Sequence, residues 1–265
     1  IVYDSASNRL YSDSKQGLIL VFDATLHEQI LQIKAHSQQI NEIQLSPDGK
    51  YLASASNDGS VKLWNPANGK IIQEFNFQGF ANDVCFSSAS DMLACCSSDG
   101  MVKFFSLPSY ALIREVKAHD SPVSDVCFSH DMQWFSTSGM DGKLKIWSLK
   151  KFELIHEMNA HNFLVYDAEF STDDRYIATC GTDKTVKLWD VKTGSIIRYY
   201  TGHIHKLSGV DVCENTGILM AGHWDQMQFD ANRAVFWDMG NGALESTTEP
   251  HAFLLNAVAV NRDGT

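Results

Sequence analysis

Three groupings of residue types in this chain could do chemistry. His203, His205, His223, Asp225 and Asp230 lie in one stretch, and imidazoles with carboxylates are ligands that zinc takes. His156-Glu157 followed by His161 approximates a His-Glu-x-x-His zinc motif. Its second histidine stands one residue too far along, and the segment reads as strand and loop where the motif requires a helix. Gly240-Asn241-Gly242 reads as a turn rather than a dinucleotide loop, and the chain has no G-x-S-x-G and no G-x-x-x-x-G-K-[ST]. Zinc needs three or four convergent ligands. His203 and Asp225 are taken by the repeat described next, which leaves His205, His223 and Asp230 in a loop of undefined shape. A bracing role is therefore expected for the histidines, with no catalytic residue, no metal and no cofactor. An enzyme or metal protein stands only as a third reading.

The elements that position these residues recur. NDGSVKLWN at 57–65, MDGKLKIWS at 140–148 and TDKTVKLWD at 182–190 each read as a turn aspartate followed by an alternating strand that ends in Trp. Trp64, Trp147, Trp189 and Trp237 mark the beat, and Phe22 and Phe105 fill the same slot. The successive steps are 42, 41, 42, 42 and 48 residues. A second marker runs beside it, because His36, His119, His161 and His203 each precede a turn aspartate by 22 residues: Asp58, Asp141, Asp183 and Asp225. From that aspartate to the Trp is six residues in three units and twelve in the sixth, so Gln226–Ala231 is an insertion of six. Each unit holds four short stretches of period-two alternation separated by turn residues, and a period near 42 with four strands predicts a propeller blade.

On these residues the chain resembles the WD-repeat β-propeller family, over essentially its whole length. The sets that carry the resemblance are His36/Ser54/Asp58/Trp64, His119/Thr137/Asp141/Trp147 and His161/Thr179/Asp183/Trp189, with His203, Asp225 and Trp237 from the sixth unit. The resemblance implies that each set forms a buried hydrogen-bond chain. The ring nitrogens of Trp and His donate, the hydroxyl relays and the carboxylate accepts. Some units depart from the pattern. One carries Phe77, Cys95 and Phe105 and keeps only Asp99. The first has Ser12 with Gln16 and Phe22, and the sixth has Ala221 where a hydroxyl belongs. The expectation is an all-β, single-domain propeller over 1–265, with units near 1–33, 34–75, 76–117, 118–159, 160–201, 202–249 and a partial 250–265. Seven blades are expected, the rest of the seventh lying outside this chain. A six-bladed ring closed by the tail is the alternative.

Composition bounds the function classes. Hydrophobic residues make up 44% and charged residues 20%, as in ordinary globular domains, and no apolar run is long enough to span a membrane. The formal charge is −11 with basic residues scattered, which argues against phosphate-driven nucleic-acid binding. Cys85, Cys95, Cys96, Cys127, Cys180 and Cys213 make no CxxC pair and sit in apolar, strand-like runs. Free buried thiols in a reducing compartment are expected, hence an intracellular protein, cytoplasmic or nuclear.

What the resemblance implies about function is a non-catalytic interaction scaffold that docks a protein or peptide within a larger protein or complex. The family's His loops and Asp turns share one face, called the top. Positions five after the His slot are Asn41, Asn82, Ser124, Tyr166, Ser208 and Asn256. Most of the top-face positions are small and polar, but Phe80, Met140, Leu164, Tyr166 and Trp224 are large or apolar, and the insertion adds Met227 and Phe229. Aromatic anchors among neutral neighbours are what binding hot spots look like. For Phe80 and Leu164 two readings stand, docking or packing into their own loops. Met140 either docks or fills a gap. The alternative for the whole chain is a structural ring held through its sides or bottom.

Overall fold

A computed structural model describes residues 1–201, 206–213, 217–224 and 233–248, with backbone alone at 206, 208, 213, 223 and 224. Met227, Phe229, Asp225, Asp230, His203, His205 and Asn256 lie outside the described residues, as do the side chains of Ser208, Cys213, His223 and Trp224. The secondary structure that is described is entirely β. The first sheet runs β1 (Val2–Asp4), β2 (Arg9–Asp13), β3 (Leu18–Asp23) and β4 (Gln29–Lys34), and the second β5 (Ile40–Leu45), β6 (Leu52–Ser56), β7 (Ser60–Trp64) and β8 (Ile71–Asn76). The third is β9 (Ala81–Phe86), β10 (Met92–Ser97), β11 (Met101–Ser106) and β12 (Leu112–Lys117). The fourth is β13 (Val123–Phe128), β14 (Trp134–Gly139), β15 (Lys143–Ser148) and β16 (Glu153–Asn159). The fifth is β17 (Val165–Phe170), β18 (Tyr176–Gly181), β19 (Val186–Asp190) and β20 (Ile196–Tyr200), and the sixth β21 (Lys206–Cys213), β22 (Ile218–Trp224), β23 (Ala234–Asp238) and β24 (Leu244–Thr247). In every sheet the strands lie in chain order, so each is a four-stranded antiparallel meander, or blade. Two compact units divide the chain, Ile1–Val126 and Cys127–Thr265, with the boundary inside β13.

Alternation along each strand puts side chains on opposite faces of the sheet. In the first unit Ala53, Ala55, Val61 and Leu63 on one face of the second blade pack against Ala81, Val84, Leu93 and Phe105 of the third. The opposite face, with Leu52 and Trp64, packs against Tyr11, Ile19 and Val21 of the first. In the second unit Ala178, Val186 and Leu188 meet Leu207, Leu219 and Trp237 across the same kind of seam. Full burial of such a side chain stabilises by roughly 1.5–3 kcal/mol, so these seams hold each unit together. Carboxylates also cross them: Asp83 Oδ2 accepts from the Val126 amide at 2.9 Å and Asp167 Oδ2 from the Val210 amide at 2.8 Å.

Two bulges recur. The third and fourth strands slip by one residue at the Trp or Phe slot in all six sheets, at Phe22, Trp64, Phe105, Trp147, Trp189 and Trp237. The first and second strands slip at Asn41, Asn82, Tyr166 and Ser208, each left without an opposite residue. A bulge bends the strand and re-aims its extra side chain.

Candidate functional site: the loop end of the blades

The connection between sheets and the turn between second and third strands meet at one end of a blade. In the second blade the Asn57 amide donates to Gln39 O at 3.0 Å. In the third the Ser98 amide reaches Phe80 O at 2.8 Å, and in the fifth the Thr182 amide reaches Leu164 O at 3.1 Å. Glycines allow this approach. A Cβ at Gly59, whose φ is +82°, would lie 3.3 Å from Gly79 O, and one at Gly142, φ +77°, only 2.2 Å from His161 O and 2.5 Å from Phe163 O.

Beneath this end lie the polar sets. Trp64 Nε1 donates to Ser54 Oγ at 2.9 Å, Ser54 Oγ lies 2.7 Å from His36 Nε2, and His36 Nδ1 lies 3.0 Å from Asp58 Oδ2. The tautomer that satisfies all three contacts carries its proton on Nδ1, so Nε2 accepts from the serine. Burial drives the His36 pKa below its ordinary value despite the attraction of Asp58, which keeps the ring neutral. Burial raises the Asp58 carboxyl, but the Ser60 hydroxyl, the Ser37 amide and His36 outweigh it and hold it below the usual carboxylate value. In the fifth blade Trp189 Nε1 donates to Thr179 Oγ1 at 3.1 Å, which is 2.9 Å from His161 Nε2, and His161 Nδ1 lies 2.7 Å from Asp183. Burial likewise raises the Asp183 carboxyl, yet His161, Thr185 and Lys187 hold it well below the ordinary value. In the fourth blade Trp147 Nε1 donates to Thr137 Oγ1 at 3.0 Å, with Asp141 at the blade's turn and His119 buried. Trp237 is buried in the sixth against Tyr200, ring centroids 5.8 Å apart.

In the second and fifth blades these histidines and carboxylates are therefore engaged with one another. Among the described residues no group of three or more His, Cys, Asp or Glu side chains is arranged to hold a metal. In the second unit the Asp167 carboxyl is raised to about 6, chiefly by burial, with the Val210 amide opposing and repulsion from Asp211 adding to it. The hydrogen bond it accepts from the Val210 main-chain N–H makes it a clasp between β17 and β21.

A few positions at the exposed ends of the blades are large and apolar. Phe80 is 53% exposed and Met140 49%. Leu164 is half-buried. Tyr166 is a bulge residue whose ring packs against the apolar seam of the fifth and sixth blades, and burial pushes its phenol above the ordinary value. Sequence reasoning missed Phe163, the most exposed aromatic among the described residues at 73%. Slot counting placed Leu164 and Tyr166 at the surface and passed over Phe163, the residue just before Leu164. An aromatic beside a His slot was the signal available. Backbone approach places Phe163 beside the Met140–Gly142 turn.

Comparison with known proteins decides the family. The family described as "WD40: WD domain, G-beta repeat" matches residues 27–65, 69–106, 110–148 and 152–190, more than half of the chain. The chain belongs to the WD40 family. Among its relatives, the small ribosomal subunit protein RACK1 of Medicago sativa is 29% identical over 85 residues, 32% of this chain and 26% of that protein. The periodic tryptophan protein 2 homolog of Dictyostelium discoideum is 31% identical over 104 residues, 38% of this chain and 11% of that protein. Autophagy-related protein 18 of Kluyveromyces marxianus is 32% identical over 97 residues, covering 35% and 19%. The match thus spans about a quarter or less of each relative's length. With its six meanders, this WD40 chain has the WD-repeat β-propeller fold, and WD40 repeats serve in general as protein-interaction scaffolds without catalysis. Among the described residues no helix is long and apolar enough to cross a membrane.

Proposed function

We propose that this WD40 chain is one propeller domain, seven-bladed when complete, that docks a protein or peptide partner on the loop end of its blades. It would act without catalysis or metal, inside the cell, within a larger protein or complex. One observation carries the reading: in each unit, large apolar side chains stand exposed at the ends of the blades, Phe80 in the first and Met140 and Phe163 in the second. Leu164 and Tyr166 back that surface, and Trp224, Met227 and Phe229 belong to it by sequence. Apolar side chains that remain in water at rigid turns are the usual anchors of an interface. Cysteines 85, 95, 96, 127 and 180 are buried and form no disulfide among the described residues, which fits a reducing compartment.

A second reading has its own observation. The fourth strands are open edges and expose aliphatics, among them Ile71, Leu112, Ile155 and Ile197. A ring held by its sides would use them. Affinity purification of the intact protein separates the two. Phe80→Ser with Met140→Ser should remove a discrete set of partners while Leu112→Ser with Ile155→Ser keeps them, both variants melting as the wild type does. The reverse pattern would replace docking at the blade ends by docking at the sides.

A further inference from the structure

The outer edge of a sheet presents unbonded main-chain groups that can pair with another strand, and folded proteins blunt such edges with charges inside the strand. The later fourth strands follow that rule. β8 carries Glu74, β12 Arg114 and Glu115, β16 Glu157, β20 Arg198 and β24 Glu245. The first sheet departs from it. β4 is the terminal strand of its sheet, next to β3 alone, and holds no charge from Gln29 to Ile33. The register between third and fourth strands shows what is missing. Lys62 faces Glu74, Lys103 faces Glu115 and Lys145 faces Glu157, each as an ion pair, whereas in the first sheet Leu20 faces Gln32.

One face of β4 is covered. Ile33 is buried in the seam with the second blade, and a Cβ at Gly69 would lie 2.9 Å from the Leu31 and Ile33 side chains. Ile30 and Gln32 are exposed, Ile30 by 46%. Ile30 is also the bulge residue, without an opposite on β3, and a bulge re-aims its side chain. A bulge stands at that place in every described sheet, so what sets β4 apart is its lack of internal charge. The flanks say what would cover the edge. Glu28 and Lys34, both exposed, stand three residues to either side of Leu31. Glu28 O accepts from the Asp23 amide at 2.9 Å, so the pairing with β3 reaches that residue. A strand with opposite charges placed symmetrically about one residue is complementary to an antiparallel copy of itself.

We propose that the open edge of β4 pairs antiparallel with β4 of a second copy of this chain, the two-fold axis passing at Leu31. The symmetry fixes the residue pairs. Glu28 of each copy faces Lys34 of the other, Ile30 faces Gln32, and Leu31 faces its own counterpart. The two Ile30 side chains become diagonal neighbours, about 7–8 Å apart, and shield one another from water. Main-chain hydrogen bonds supply the attraction. The end charges set direction and register, since exposed ion pairs contribute little by themselves. Two strands bury a small area, so the association is weak and rises with concentration. It does not depend on which part of the blades docks other proteins.

Sedimentation velocity of the intact protein over a concentration series is the test. Wild type should pass reversibly from monomer to dimer as concentration rises. Glu28→Lys alone and Lys34→Glu alone should each weaken the dimer about tenfold, because two attractive contacts become repulsive. Mixing these two variants in equal amounts should restore it, since each then carries the charge that the other needs. Ile30→Lys, which places a charge inside the edge, should weaken the dimer at least as much as either. All three positions are exposed, so the variants should melt with the wild type. Wild type that stays monomeric at every concentration would overturn the proposal. If that monomer also lost a native partner on Ile30→Lys, the edge would belong to another protein. A dimer that all three variants keep would place the interface elsewhere. A dimer lost in both charge variants and not restored by mixing them would rule out the antiparallel pairing about Leu31, and the proposal with it.

Discussion

The second and third blades share a unit, a strand order and a turn aspartate, and they brace the same slots by opposite chemistry. In the second, Trp64, Ser54, His36 and Asp58 form a chain of hydrogen bonds under the blade end. In the third, Phe105, Cys95 and Phe77 occupy those slots. Phe105 stacks on Phe75 with centroids 4.0 Å apart, Cys95 is fully buried, and Lys103 lies 4.9 Å over the Phe77 ring. Asp99 remains but serves its own turn, accepting from Ser97 and from the Met101 amide. The lysine slot follows suit. Lys62 Nζ donates to Ala35 O at 2.9 Å in the second blade, whereas Lys103 Nζ lies over an aromatic face and 3.8 Å from Glu115 Oε1. One backbone accepts either solution because burial penalises only polar groups that lack partners. A complete polar set and an apolar set that keeps only its turn aspartate are both permitted.

That comparison can be broken at several points. Removing the stacked ring should cost most: Phe105→Ala deletes a buried aromatic between two blades and should destabilise by about 3–5 kcal/mol in denaturant unfolding. Ser54→Ala should come next, at about 2–3 kcal/mol, because it strands both the Trp64 N–H and His36 Nε2 in the interior. In the third blade the reverse exchange, Cys95→Ser, should also destabilise, by about 1–3 kcal/mol, since its new hydroxyl meets no Trp or His. Adding Phe77→His and Phe105→Trp to Cys95→Ser should recover part of that loss. A triple variant no better than the sum of its singles would show that the sets are not cooperative.

Acid should distinguish the blades more gently. The pKa values of His36 and Asp58 both lie below their ordinary values in the folded protein, so the unfolded chain binds protons more readily at both sites. Their contribution is therefore present above about pH 6.5 and is lost as pH falls, first through histidine protonation and then through the carboxylate range. Melting temperatures measured from pH 7 to 4 should decline, and the slope should flatten in His36→Gln. An unchanged slope would place the acid sensitivity elsewhere. The smallest effect is expected at the surface. Phe80→Ala should change stability by less than about 0.5 kcal/mol, because that ring is half in water already.

The sequence by itself determined the family and the all-β fold. Trp or Phe every 41 or 42 residues through five units, with turn aspartates and alternating strands, reports a local, repeated unit whose hydrophobic faces can be buried only by stacking on neighbours. It also named which side chains could complete a polar chain, because residue type alone decides who donates and who accepts. Exposure at the blade ends was not legible in the same way. Period-two counting cannot see a bulge, and at Tyr166 the strand gains one residue, so its ring turns onto the apolar seam. Phe163, one residue outside the counted slots, is left in water instead. Those outcomes are set by how the packed sheets aim their loops, and only the tertiary structure decided them.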